Sequence, residues 1–421
     1  MTIDRNSRIL FFFALFAFCF IIMVMRRPDL ISNPQFWAED GKIWYAQAHN
    51  LGWFNSIILP QNGYYQTISK LTAAISLNFS LASAPLVMNI IAISIRCTLV
   101  LFLMSNRVSC LSFLNRAIIS AFILFMPHLE EVHANITNTH WYLSTYLFFI
   151  LISDRAESNL WKGHDILVMV ISGLSGPFIV FLAPILALRM LSESNGVGFV
   201  DKATNAIKKI SLFEVIFGII CLIQLCTILI SQSGDRSAAP LGASIPMLAN
   251  ILSSRVFIGF LTSEKQSLHL WDQQNLNYLI SVAGCLVLIF LLIKGNWKEK
   301  SAVIFPFLML FAALAKPMIH LELPQWPRIQ FGSGQRYFVI TSIFWVTCIL
   351  FSVQHLSNHL RITCTFLLAL FIAISGYQNF NIHKLPDNRW DKEVVKYNDT
   401  PSGKRVILDI NPKGWKIDLI K

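Results

Sequence analysis

Eleven apolar runs set the pattern of this chain, at 8–25, 84–104, 112–127, 141–153, 165–175, 177–190, 211–231, 276–294, 301–316, 337–353 and 362–378. Each reads as a helix, and several fall short of the roughly 20 residues that a perpendicular span needs. Short or tilted helices around a polar cavity are the expectation. Residues 66–82 are less apolar and carry Gln66, Lys70 and Asn78, which predicts an interfacial or re-entrant helix rather than a span.

The stretch 164–190 decides the orientation of everything after it. Ser172-Gly173-Leu174-Ser175-Gly176-Pro177 lies in its middle, where small residues and a proline invite a turn. If the turn forms and the N-terminus is cytoplasmic, the inner loops hold Arg107 and Arg116; Arg155 and Lys162; Arg189, Lys202, Lys208 and Lys209; Lys294, Lys298 and Lys300; and Arg361. Most short basic loops then share one side, as the positive-inside rule asks. The first helix is locally undecided, because Arg5 and Arg8 are balanced by Arg26 and Arg27. The expectation is an all-α polytopic membrane protein with eleven spans, its C-terminus outside.

On that topology the polar, aromatic-rich loops 26–65, 128–140, 232–275 and 317–336 gather on the outer face. Residues 1–378 form the transmembrane domain. The tail 379–421 switches to soluble composition, with Val406–Ile410 as a strand and Asn411-Pro412-Lys413-Gly414-Trp415 as a turn. It reads as a small β-containing appendage packed on the outer loops.

Composition agrees with this class: 55% of the 421 residues are hydrophobic and 14% charged, against about a quarter charged in soluble domains. The net charge of +11 points to anionic membrane lipids rather than nucleic acid, since many cations flank apolar runs. The eight cysteines sit mostly within apolar runs and none forms a CxxC, which argues against a disulfide framework. Arg26-Arg27 follows the first apolar run where a signal peptide would have small residues, so that run is expected to stay as a helix.

Candidate chemistry lies in three of the outer loops and at one position within an apolar run. The first carries Trp37-Ala38-Glu39-Asp40-Gly41, two adjacent carboxylates fenced by Trp37, Trp44 and Tyr45. Only one of the two can readily aim at an acceptor. Asp40 is the first choice as base, because Gly41 can turn to aim a short side chain. Glu39 is then expected to hold Lys42 or the donor sugar; the bland alternative is a solvated Asp40-Gly41 turn. The second loop offers Glu130, Glu131, Asn135, Asn138, His140 and Trp141 as sugar contacts, with Trp37 as a stacking surface. Its three histidines raise zinc, yet neither HExxH nor a comparable pattern is present. No metal or other cofactor is assigned. Asn135-Ile136-Thr137 is a formal glycosylation sequon and reads as coincidence. Three cations are candidates for a phosphate: Arg96 deep in the 84–104 run, and Arg328 and Arg336 around Phe331-Gly332-Ser333-Gly334-Gln335. The bland role for Arg96 is hydrogen bonding to facing carbonyls.

Trp37-Ala38-Glu39-Asp40-Gly41, Asn135-Ile136-Thr137-Asn138-Thr139-His140-Trp141 and Gly334-Gln335-Arg336-Tyr337-Phe338 together resemble the phage-type serotype-converting O-antigen glucosyltransferases of enteric bacteria, within the GT-C class of polytopic transferases. The resemblance implies a bacterial inner-membrane enzyme with a periplasmic site. It implies a sugar, glucose in that group, carried on undecaprenyl phosphate and moved with inversion to lipopolysaccharide O-antigen. It also implies an essential carboxylate in the first outer loop, on Glu39 or Asp40. The residues agree with a lipid-linked donor, because no soluble domain large enough for a nucleotide-sugar site is present. The alternatives are an O-antigen polymerase and, from another class, a transporter or flippase with its polar residues at mid-membrane depth.

Overall fold

A computed structural model describes residues 5–231, 239–319, 322–330 and 332–421. Residues 232–238, 320, 321 and 331, which belong to the expected outer loops and include Phe331, lie outside the described residues, and so do the side chains of Arg5 and Arg8.

All eleven apolar runs are helical. Six helices among the described residues are long and apolar enough to cross a membrane: Ile9–Arg26, Ala84–Met104, Leu212–Ile230, Gln274–Lys294, Gln335–Gln354 and Asn358–Gln378. The other five are the shorter Phe113–Phe125, Thr139–Ile152, Asn159–Gly173 and Phe178–Glu193, and the 19-residue Trp297–Ala315.

Burial accounts for one of the short runs. Thr139–Ile152 is buried at all fourteen positions, so protein surrounds it and its length is not set by bilayer thickness. Gln335–Gln354 lies beside it in the core, joined through the ring cluster Phe148, Phe149, Phe305 and Phe344, with Phe148 and Phe344 4.4 Å apart. The peripheral helices Ile9–Arg26, Leu212–Ile230, Gln274–Lys294 and Asn358–Gln378 keep most of their apolar surface outward.

The 164–190 stretch breaks at Leu174–Pro177 into two helices. Thr67 N–H donates to Leu174 O at 2.9 Å, Gly176 N–H to Tyr65 O at 2.8 Å, and Ile68 N–H to Ser175 Oγ at 2.9 Å. Gln224, buried in Leu212–Ile230, donates to the carbonyls of Gly173 and Gly176. The turn therefore sits at the same end as the loop before Thr67–Ser76. At the opposite end the basic loops meet their partners: Arg107 with Asp165 at 2.8 Å, Arg155 with Glu193 at 2.7 Å and Glu214 at 3.2 Å, and Lys298 with Asp154 at 3.9 Å. Arg189 donates to Ile150 O and Leu151 O.

Arg26 and Arg27 have another job. Arg26 is buried and donates to Leu124 O, Met126 O and Phe380 O, while Arg27 donates to His383 O. They tie the end of the first helix to the end of Phe113–Phe125, to Glu130 of the second outer loop and to the start of the tail.

The tail is a helix, Trp390–Asp399, and an antiparallel hairpin of Arg405–Ile410 and Trp415–Ile420, with Val406 opposite Leu419 and Leu408 opposite Ile417. Its alternation buries Val406, Leu408 and Ile410. They join Phe36, Trp44, Tyr45 and Trp390 in a second apolar cluster, separate from the bundle core.

Candidate active site

The first outer loop is not a solvated turn. Ala38 takes a left-handed conformation, φ 44°, and leads into a π-helix, Asp40–Tyr45, that buries Asp40, Gly41, Trp44 and Tyr45. Asn411 of the hairpin connection pairs with this entry: its N–H donates to Phe36 O at 3.1 Å and its carbonyl accepts from Ala38 N–H at 2.5 Å. Gly41 is not used for a left-handed turn. A Cβ there would lie 2.9 Å from Phe36 Cβ and 3.0 Å from Ile410 Cδ1, so the residue is small because tail and loop close on it.

The two neighbouring carboxylates have opposite surroundings. Asp40 is 2% exposed. Its Oδ2 accepts from Ile136 N–H at 3.0 Å and its Oδ1 from Thr137 N–H at 2.9 Å and from the Thr137 hydroxyl. Trp44 Nε1 donates to the same hydroxyl at 2.8 Å. Burial pushes the Asp40 carboxyl up to about 6 against the pull of these donors. Glu39 is half-exposed, and its carboxylate has no hydrogen-bond or ion-pair partner among the described residues. Lys42 does not pair with it; the ammonium lies 5.0 Å over the Trp415 ring. Asp40 is therefore committed to the second loop, and Glu39 is the carboxylate with open oxygens.

The second loop is braced from within and from below. Asn135 Nδ2 donates to Glu131 O at 2.6 Å, Asn138 N–H to Asn135 Oδ1 at 3.0 Å, and Asn138 Nδ2 to Glu131 O at 3.2 Å. Both asparagines are buried, which removes Asn135 as a glycosylation acceptor and turns both from expected sugar contacts into loop framework. Arg96, fully buried, donates to Ala92 O, Val132 O and Asn135 O and to Thr139 Oγ1, with its guanidinium 4.4 Å over the Tyr142 ring. It fills the carbonyl-binding role and is not placed to meet a phosphate.

His140 and Trp141 are also buried. Phe178 covers both, at 5.1 Å and 4.8 Å between ring centroids, so Trp141 does not offer an open face to a sugar. The three histidines diverge: His128 Nε2 meets Thr262 O, His133 Nε2 meets Met23 O, and His140 stacks on Phe178. Among the described residues no three His, Cys, Asp or Glu side chains converge on a metal-sized site.

Glu130, Glu131 and Trp37 remain half-exposed. Glu131 pairs with Arg336, and Glu130 accepts from Gln335 Nε2, while Gln335 Oε1 accepts from Glu131 N–H at 2.8 Å. Arg336 also donates to Met318 O at 2.8 Å and lies 4.8 Å over the Tyr337 ring. Tyr337 meets Trp141 edge-on at 6.2 Å. Contacts thus run from Asp40 through Thr137 and the start of Thr139–Ile152 to Tyr337 and Arg336. Arg328 is exposed, two residues beyond Trp326.

Sequence reading missed Thr137 as the partner of Asp40, Trp44 as the donor to Thr137, and Arg255 altogether. Arg255 is buried, donates to Gln330 O at 2.5 Å, lies 4.5 Å over the Phe338 ring and feels the charges of Glu131 and Glu130. An arginine inside the short apolar stretch Ile245–Phe257 carries the same signal that singled out Arg96.

No protein-family model matches the chain, and no curated protein does. Among solved structures it is similar to the Archaeoglobus fulgidus oligosaccharyltransferase in complex with zinc and sulfate, with a TM-score of 0.42 and 13% identity over 92% of this chain and 56% of that one. The archaeal oligosaccharyltransferase AglB from the same organism, in complex with an inhibitory peptide and a dolichol-phosphate, gives a TM-score of 0.42 and 13% identity over 94% of this chain and 58% of that one. The chain spans little more than half the length of these proteins.

Proposed function

We propose that the protein is an inverting GT-C glycosyltransferase that moves a sugar, glucose, from undecaprenyl phosphate to lipopolysaccharide O-antigen at the periplasmic face of a bacterial inner membrane. The observation that carries this reading is the division of labour between two adjacent carboxylates. Asp40 is locked into the second loop, and Glu39 stands half-exposed with free oxygens. A lipid-phosphate donor needs one base and a counter-charge, since the phosphate monoester departs as an anion.

Glu39 takes the proton of the acceptor hydroxyl as its oxygen bonds to the anomeric carbon. The bond from that carbon to the phosphate oxygen breaks, and the electron pair leaves with undecaprenyl phosphate. Arg336 and Arg328 are the cations for that phosphate; Arg336 presents a planar fork, now shared with Glu131, at a half-exposed position. Trp37, Glu130 and Glu131 are the remaining candidates for sugar contacts. Arg96, fully buried with both terminal nitrogens on carbonyls, does not line a mid-membrane path of the kind a transporter would need.

The test is transfer of labelled glucose from undecaprenyl-phosphate-glucose to O-antigen in membranes containing the protein. Glu39→Gln is expected to cut the rate on the order of 10²–10⁴-fold at unchanged protein level. Parental activity in Glu39→Gln would remove Glu39 as base. Chain extension of the O-antigen in place of a single added sugar would make the protein a polymerase.

A further inference from the structure

A ten-residue helix at the end opposite the candidate site has no role in the reading above. Phe199–Lys208 follows Phe178–Glu193 and precedes Leu212–Ile230. At 100° per residue, Phe199, Val200, Ala203, Ala206 and Ile207 fall within an arc of about 120°. The helix packs on Phe178–Glu193 and buries Ala206, but that contact leaves most of the arc uncovered. Phe199 is 73%, Val200 74% and Ile207 65% exposed. Large apolar side chains concentrated on one exposed strip mark a surface that meets something apolar.

Two further observations say what covers it. The strip continues through the exposed Ile210 and Leu212 into Leu212–Ile230, a membrane-length helix that turns most of its apolar surface outward. Lys202, Lys208 and Lys209 are exposed and pair with no carboxylate among the described residues, and Asp201 is the one acidic residue of the helix. Arg155 and Lys298, from other parts of the chain, lie at this same end.

We infer that Phe199–Lys208 lies in the headgroup layer of a leaflet carrying anionic lipids, its apolar arc among the upper acyl chains and its lysines on lipid phosphates. A soluble protein docking on the same strip would have to displace lipid already abutting Leu212–Ile230. The helix would fix the height of the bundle in the membrane at the end away from the site.

The full-length protein is placed in nanodiscs of phosphatidylcholine alone or mixed with phosphatidylglycerol. Val200→Cys and Lys208→Cys variants carry an environment-sensitive fluorophore, with the labelled parental chain as background. In mixed discs, a lipid quencher near the top of the acyl chains is expected to quench position 200 several-fold more than position 208. Aqueous iodide should do the reverse. Changing Lys202, Lys208 and Lys209 together to Glu should abolish the difference between mixed and neutral discs, with monomer yield unchanged. Equal iodide quenching at 200 and 208 would overturn the placement. Equal lipid quenching in neutral and mixed discs would overturn the dependence on anionic lipid. Protection of position 200 that rises with protein density per disc would assign the strip to a second copy of the chain.

Discussion

At the residue scale the proposed chemistry turns on which of two neighbouring carboxylates is free. Their adjacency is legible in the sequence, and so is the argument that only one can aim at an acceptor. Which one is not legible, because the deciding donors belong to Ile136 and Thr137, nearly a hundred positions away. The same limit applies to Gly41, whose size is explained by Ile410 of the tail. A pH dependence follows for Asp40. Its carboxyl rises from an ordinary 3.8 to about 6 on folding, so the folded chain binds that proton more tightly than the unfolded chain. The stability it contributes is complete below the ordinary value and is lost as pH rises through about 6, on the order of 2–3 kcal/mol. Asp40→Asn has no such titration, and its amide sets a donor against a loop N–H, costing about 1–3 kcal/mol. Thermal unfolding in detergent is therefore expected to show the parental protein well above Asp40→Asn at pH 5, with the gap narrowing by pH 7.5. A gap independent of pH would show that Asp40 does not titrate in that range.

At the element scale, the apolar runs found every membrane-length helix among the described residues, because side-chain burial and lipid exposure both demand the same composition. What periodicity did not show is which runs face lipid. Thr139–Ile152 and Leu212–Ile230 read alike, yet one is wholly enclosed and the other mostly outward. The break at Leu174–Pro177 was legible from its small residues and proline, whereas Gln224, which holds it from another helix, looks in sequence like any polar residue in an apolar run. The tail strand at Val406–Ile410 was legible by alternation. Its attachment to the first loop was not, since Asn411 pairs with Phe36 and Ala38 through backbone atoms. Gly41→Ala tests that attachment. The added methyl meets Phe36 Cβ, which cannot move without its backbone, and overpacking of this kind costs about 1–3 kcal/mol. Limited proteolysis of membranes is expected to cut Gly41→Ala between residues 379 and 404 faster than the parental chain. Equal cutting would mean that the tail is held elsewhere.

At the scale of the whole molecule, the bundle has two ends of different character. One gathers the first and second outer loops, the Leu174–Pro177 turn and the tail; the other gathers Arg107, Arg155, Arg189 and Lys298 with their carboxylates and carbonyls. Charge counting left the first helix undecided because Arg26 and Arg27 look like topology signals. They serve as hydrogen-bond donors to Leu124 and Met126, to Glu130 of the second loop and to the tail. With the basic end cytoplasmic, an alkaline-phosphatase fusion after Lys421 is expected to be active and one within 195–208 silent. The opposite pattern would invert the protein in the membrane and put the candidate site in the cytoplasm.

The reaction itself is tested most directly by the structure of lipopolysaccharide from a host carrying the parental gene, the Glu39→Gln variant or neither. One added glucose branch per O-antigen repeat, present only with the parental gene, is the result this account predicts. Lipopolysaccharide identical in all three hosts, or glucosylated equally by Glu39→Gln, would contradict it.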